Sequence, residues 1–158
     1  MNKKNIFILK VSLFLIAIIT LILCLFWLPN LAERVAKANP EYAYLKYPVL
    51  ILVYITAIPF YLAFYQAYKI LNSINNGETF TDKPLDSLGI IKNCALSEIV
   101  IYLILTIFLL SQNALHPGVL IPFVAIMFAA SIIAVFVSVL KELLGTAIEI
   151  KSENDLTV

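Results

Sequence analysis

A single carboxyl group, that of Glu98, lies inside one of the long apolar segments of this chain. Cys94, Tyr102 and Thr106 are placed at four-residue intervals from it, so these polar side chains share one face of a helix. A charge near the centre of a membrane span costs about 2.5 to 3.5 kcal/mol, which makes Glu98 a candidate proton or cation site. The alternative is a structural ion pair at the membrane boundary, for which the chain offers three lysines: Lys69, Lys92 and Lys141.

Tyrosines form a second polar set, at Tyr47, Tyr54, Tyr61, Tyr65 and Tyr68. Most of them recur every seven residues, so they follow one slowly drifting helix face. Phenolic hydroxyls in hydrocarbon seek partners, and we expect the stripe to pack against neighbouring helices, each hydrogen bond contributing about 0.5 to 2 kcal/mol. A transport pathway is the alternative. The intramembrane polar candidates are therefore Glu98, Tyr102, Tyr54, Tyr61 and Tyr65.

No motif for catalysis or for a cofactor is found in the sequence. The chain has no glycine-rich phosphate loop with its lysine, and His116 has no second histidine to act with it. A zinc site would need further ligands near His116, and the short loop around it supplies none. Cys24 and Cys94 lie in different apolar segments and are expected to be packing residues. We predict a non-enzymatic protein with no catalytic residue, metal or cofactor.

Four long apolar segments carry these residues, and each approaches the 20 or so residues that a membrane-spanning helix needs. The sequence predicts spans at about residues 7–28, 47–70, 94–115 and 118–141, followed by a cytoplasmic tail at 142–158. Hydrophobic residues make up 62% and charged residues 13% of the chain, whereas globular domains carry about 25% charged residues. We predict an all-α integral membrane protein, in which four transmembrane helices form an antiparallel bundle within the lipid bilayer.

The distribution of lysine and arginine predicts the orientation. Of the 11 such residues, eight fall on the side that holds both termini and the middle loop: Lys3, Lys4, Lys10, Lys69, Lys83, Lys92, Lys141 and Lys151. Both termini are therefore expected to be cytoplasmic in a multi-pass protein of the cell membrane. The first segment is interpreted as an uncleaved span, because its apolar core exceeds that of a secretory signal peptide.

The segments between the spans carry their own signals. Residues 30–39 can extend the first helix as a short cap before Pro40 ends it. The middle loop predicts a new helix from Thr81 or Asp82, since a hydroxyl or carboxylate precedes a proline in the first turn. Residues 85–93 are amphipathic and predict a short cytoplasmic helix that leads into the third span. Pro59 is expected to bend the second span.

Several stretches resemble a known family. They are the tail Ala147-Ile148-Glu149-Ile150-Lys151-Ser152-Glu153-Asn154-Asp155-Leu156-Thr157-Val158, Tyr47-Pro48, Ile58-Pro59-Phe60 with Ala63 and Tyr65, the loop from Gly77 to Thr81, and Pro117-Gly118-Val119. Together they span most of the chain, and they are similar to the YoaS-like family of small four-span bacterial membrane proteins of unknown function. In that family an acidic residue tends to precede the last Pro-Gly pair, where this chain has Leu115 and His116.

The resemblance implies a partner, because members of the family are often encoded beside a small helix-turn-helix regulator. The chain would then be a regulatory protein that anchors or sequesters such a regulator at the membrane, through the cytoplasmic loop and the tail. The docking candidates are Phe80, Asp82, Glu153, Asn154, Asp155 and Leu156. A tail that only keeps the end of the last helix in solvent is the simpler interpretation of these charges.

The rival function is a small transporter, or a toxin-resistance or immunity membrane protein, that uses Glu98 as its intramembrane polar site. Direct nucleic-acid binding is not expected, because the formal net charge is only +1. The sequence leaves the oligomeric state open.

Overall fold

The structure, a computed structural model, describes residues 2–157. Helix α1 (Lys3–Ile22) continues through a π-helical turn (Leu23–Trp27) into α2 (Leu28–Ala38). A 3₁₀ segment (Pro40–Leu45) then leads into α3 (Lys46–Asn75). Helices α4 (Asp82–Ser111) and α5 (Pro117–Leu156) complete the chain, and the described residues contain no strand. The predicted all-α fold is confirmed.

Four of these helical stretches are long and apolar enough to cross a membrane, as predicted. They are Lys3–Ala38, Pro40–Asn75, Asp82–Ser111 and Pro117–Leu156, with 36, 36, 30 and 40 residues. At a rise of about 1.5 Å per residue they measure about 45 to 60 Å, whereas the hydrocarbon core of a bilayer is about 30 Å thick. The helices therefore extend beyond the apolar layer, and the protein is a multi-pass membrane protein.

Consecutive long helices are joined by short links, so they run antiparallel. Helix α4 packs along both α3 and α5, and α1 packs against α3 at the edge of the bundle. The link after α3 turns at Gly77, whose φ of 78° lies in the left-handed region that favours glycine. We call the end of the bundle that holds this link, Lys3 and Leu156 the terminal end.

The core lies where α3, α4 and α5 meet. Leu105 is fully enclosed, and it clusters with Tyr102, Leu109 and Phe123. The rings of Tyr102 and Phe123 meet edge to face, with centroids 5.2 Å apart. By contrast, Ile6 is the one buried residue among those described in α1. The first helix therefore presents most of its apolar surface to lipid.

The local signals in the loops are largely confirmed. Helix α2 forms the predicted cap over residues 30–39, and α4 begins at Asp82 as expected. The amphipathic stretch 85–93 is the first part of α4 and continuous with the third span, because no proline follows Pro84 to separate the two. Helix α3 runs without a break through the buried Pro59.

Candidate functional site

The terminal end brings the middle loop and the C-terminal part of α5 together. The ammonium group of Lys151 lies 5.9 Å from the centroid of the Phe80 ring. Six residues earlier in α5, Gly145 packs against Leu85, whose Cδ1 would lie 3.9 Å from a Cβ at that glycine. The start of α4 thus lies along the C-terminal part of α5, beyond the charge-free stretch of residues 117–140.

The docking residues predicted in the middle loop and those predicted in the tail all lie at this end. Phe80 is 48% exposed and Leu156 is 84% exposed, although both are large apolar side chains. Glu153, Asn154 and Asp155 are exposed on the last turn of α5. Asp82 is exposed at the first residue of α4. The predicted docking residues are therefore exposed at one end of the protein, and we call this set the terminal platform.

The loop within the platform is held in shape by its own polar groups. The ammonium of Lys83 donates hydrogen bonds to both carboxylate oxygens of Glu78, at 3.0 and 2.9 Å. The hydroxyl of Thr81 donates to the carbonyl of Glu78 at 2.9 Å. Because these bonds close the loop on itself, Phe80 is presented at its surface by a defined local structure.

Glu98 is separate from this platform. Its Oε1 is buried, and it has no hydrogen-bond partner among residues 2–157. The predicted ion pair with a lysine is not formed between described residues, since the salt bridges there join Lys37 to Glu33 and Lys83 to Glu78. The Lys141 ammonium instead lies against Gly89, where an added Cβ would be only 2.9 Å from its Nζ.

Two tyrosines of the stripe bind the backbone of the first helix. The hydroxyl of Tyr54 donates to the carbonyl of Cys24, and that of Tyr61 donates to the carbonyl of Ala17, each at 3.0 Å. In the π-helical turn the Leu28 N–H donates to the carbonyl of Leu23, five residues earlier. With the same spacing, the backbone donor for the Cys24 carbonyl would come from Pro29. Proline has no N–H. Tyr54 thus satisfies a carbonyl that the backbone leaves free.

The other intramembrane polar candidates lie elsewhere. Tyr65 is exposed, and Lys69 lies over its ring at 5.9 Å from the centroid. Tyr102 is buried in the α3–α4–α5 core. The expectation of packing between helices is confirmed for Tyr54 and Tyr61, and the candidates do not all converge on one site with Glu98.

Removal of the Tyr54 hydroxyl tests this arrangement. We expect Tyr54→Phe to lower the free energy of unfolding in mild detergent by about 1 kcal/mol, because the Cys24 carbonyl loses its donor. Tyr47→Phe is the matched control, since Tyr47 is exposed and its hydroxyl donates no hydrogen bond within the described residues. Equal stability of the two variants, measured by thermal unfolding, would contradict this account.

Gln66 is a polar residue that the sequence analysis did not single out. It is only 5% exposed, and its Oε1 is buried without a partner among the described residues. The sequence signal for this residue is a single amide within an apolar span, and the same span carries several tyrosines that give a stronger polar pattern. No group of three or more metal-ligating His, Cys, Asp or Glu side chains is found in residues 2–157.

Comparison with known proteins places the chain among uncharacterised membrane proteins. Residues 30–158 match the family described as "Protein of unknown function (DUF2975)". The chain belongs to this family. It is also 42% identical over 160 residues to the "Uncharacterized membrane protein YoaS" of Bacillus subtilis, and the match covers 100% of both chains. The predicted resemblance to a YoaS-like family is confirmed, and no solved structure matches.

Proposed function

We propose that this protein is a non-enzymatic regulatory protein that holds a cytoplasmic partner at the membrane. The observation that carries the proposal is the contact of Lys151 with Phe80, which places the middle loop and the tail on one surface. Two chain segments that are far apart in sequence thereby present apolar and acidic side chains together. Such a combination suits a specific protein interface.

The length of α5 supports a role outside the bilayer. Residues 117–140 carry no charge and at about 1.5 Å per residue are long enough to cross the hydrocarbon layer. The 16 residues that follow, up to Leu156, would continue as a helix for about 24 Å. In the orientation that the lysines favour, this extension lies in the cytoplasm.

The chemistry of the platform favours a basic partner. Glu149, Glu153 and Asp155 outnumber Lys151 on the projecting turns of α5, and Asp82 and Asp86 lie at the start of α4. A DNA-binding protein carries basic residues for phosphate contacts. We propose a small helix-turn-helix regulator, whose basic surface would be covered when it is bound and would be free for DNA after release.

Site-specific cross-linking tests this proposal. A photo-crosslinking amino acid in place of Phe80 or Leu156 is expected to form an adduct with a soluble DNA-binding regulator in intact cells. The same amino acid in place of Tyr44 is the control, because Tyr44 lies at the opposite end and donates to Gln112. Adducts with that regulator from Tyr44 alone, or no adduct from any site, would contradict the proposal.

A second candidate function is proton- or cation-coupled transport through Glu98. The observation that favours it is the buried Oε1 that has no partner among the described residues. Intramembrane carboxyl groups are expensive and commonly serve transport or proton relay.

Replacing Glu98 by Gln separates this candidate from the first. A transporter that couples through the carboxyl group is expected to lose flux at least about tenfold in proteoliposomes, because the amide cannot ionise. Thermal unfolding should show that Glu98→Gln remains folded. Wild-type flux in that variant would exclude Glu98 as the coupling group.

A further inference from the structure

A polar cavity of about 630 Å³ opens between the ends of α3 and α4, near the terminal end. Its polar lining includes Gln66, Lys69, Asn72, Glu78, Lys83 and Asp86. Cavities of about 300 to 1,000 Å³ are the size range of small-ligand sites. Glu98 does not line this cavity, which adjoins the platform because Glu78, Lys83 and Asp86 belong to the middle loop and the start of α4 that also carry platform residues.

An apolar groove of about 450 Å³ adjoins the cavity. It runs between α1 and α3 and is lined by side chains such as Phe14, Ala17 and Phe64. Tyr65 and Tyr68 line both the groove and the polar cavity, so the two spaces meet at these rings. A ligand that fills both needs an apolar chain joined to a polar head, which is the chemistry of a membrane lipid.

The charges near Tyr65 and Tyr68, where the groove meets the cavity, indicate which lipid head group would fit. Lys10 lies in the groove, 5.1 Å from the centroid of the Tyr68 ring, and donates to Asn72 at 3.1 Å. Lys69 lies in the cavity beside Tyr65. Both ammonium groups lie beside the tyrosine rings at which the groove and the cavity meet. Asp86, which forms no ion pair with another described residue, supplies a negative charge in the cavity lining.

We propose that this cavity and groove bind one phospholipid with an ethanolamine head. The acyl chain lies in the groove between α1 and α3, and the phosphate pairs with Lys10 and Lys69. The primary ammonium of the head then donates to the carboxylate of Asp86. A choline head cannot do this, because its trimethylated nitrogen has no N–H. A glycerol head brings hydroxyl donors but no positive charge for Asp86.

Native mass spectrometry of the full chain in detergent micelles tests the proposal by lipid titration. We expect phosphatidylethanolamine to bind about tenfold more tightly than phosphatidylcholine or phosphatidylglycerol with the same acyl chains, as the loss of a charged hydrogen bond predicts. Asp86→Asn should lower the affinity for phosphatidylethanolamine about tenfold and that for phosphatidylcholine by less, because choline loses only the attraction between charges and no hydrogen bond. Asp86 is exposed, so this variant should fold.

Two further measurements complete the design. Glu142→Gln, an exposed change outside the cavity, should not alter the ethanolamine preference. Glycerophosphoethanolamine, which has the same head but no acyl chains, should compete poorly. Equal binding of the three phospholipids, an unchanged preference in Asp86→Asn, or strong competition by the chain-free head would overturn the proposal.

Discussion

Replacing Leu105 by Ala is expected to lower the free energy of unfolding by about 2 kcal/mol. Leu105 is 0% exposed and lies where α3, α4 and α5 meet, next to Tyr102 and Phe123. A buried Leu→Ala change costs about 2 to 5 kcal/mol in water-soluble proteins, as lost transfer energy plus a cavity. In lipid the transfer contribution is absent, because the unfolded helices stay in an equally apolar solvent. What remains is the lost packing, which gives the low end of that range.

Leu103→Ala is the matched control for this prediction. Leu103 lies on the same helix, two residues away, but its side chain is exposed on the outer surface of the bundle. We expect its replacement to change stability by less than about 0.5 kcal/mol. Both variants are compared by equilibrium unfolding in mild detergent. Equal destabilisation would show that α4 is not packed with Leu105 in the core.

Reversing the tail charges is expected to weaken partner binding by about 100-fold at low salt, through the combined variant Glu153→Lys and Asp155→Lys. Two attractive contacts with a basic surface become repulsive, and each charge-assisted contact is worth on the order of tenfold in affinity. Binding is measured with purified protein in nanodiscs and the purified regulator. The affinity of the unaltered protein should also fall as salt rises, since exposed charges are screened.

The control for charge reversal uses the opposite end. Glu33→Lys with Glu41→Lys makes the same change in net charge on exposed residues away from the terminal platform. This control should retain the affinity of the unaltered protein. If both double variants bind equally well, the tail carboxylates do not contact the partner.

Much of the fold could be predicted because its signals are local. Each span is an apolar run of sufficient length, and Asp82 begins α4 where a polar residue precedes Pro84 by two positions. The partner of Tyr54 could not be predicted in the same way. It depends on how α3 packs against α1, and on the carbonyl of Cys24 that Pro29 leaves without a donor.

The sequence predicts docking residues in two separate segments, the middle loop and the tail. That these segments lie side by side depends on how α4 packs against α5. Glycine often follows the last turn of a helix, yet α5 continues past Gly145 to Leu156. A Cβ at Gly145 would lie 3.9 Å from Leu85 Cδ1, in ordinary van der Waals contact, and this packing of α4 on α5 outweighs the weak helix propensity of glycine. Only this continuation carries Lys151 to Phe80. The burial of Gln66 could not be predicted from the sequence, because it depends on how α3 packs against α4.

The most direct test of partner docking is mass spectrometry of proteins that co-purify from gently solubilised native membranes. Full-length protein is compared with a chain that ends at Lys151, which keeps the contact with Phe80 and removes Glu153, Asp155 and Leu156. We predict that a helix-turn-helix regulator co-purifies with the full-length protein and is lost with the shortened chain. Its retention by both chains, or its absence from both while they remain folded, would contradict docking through the tail.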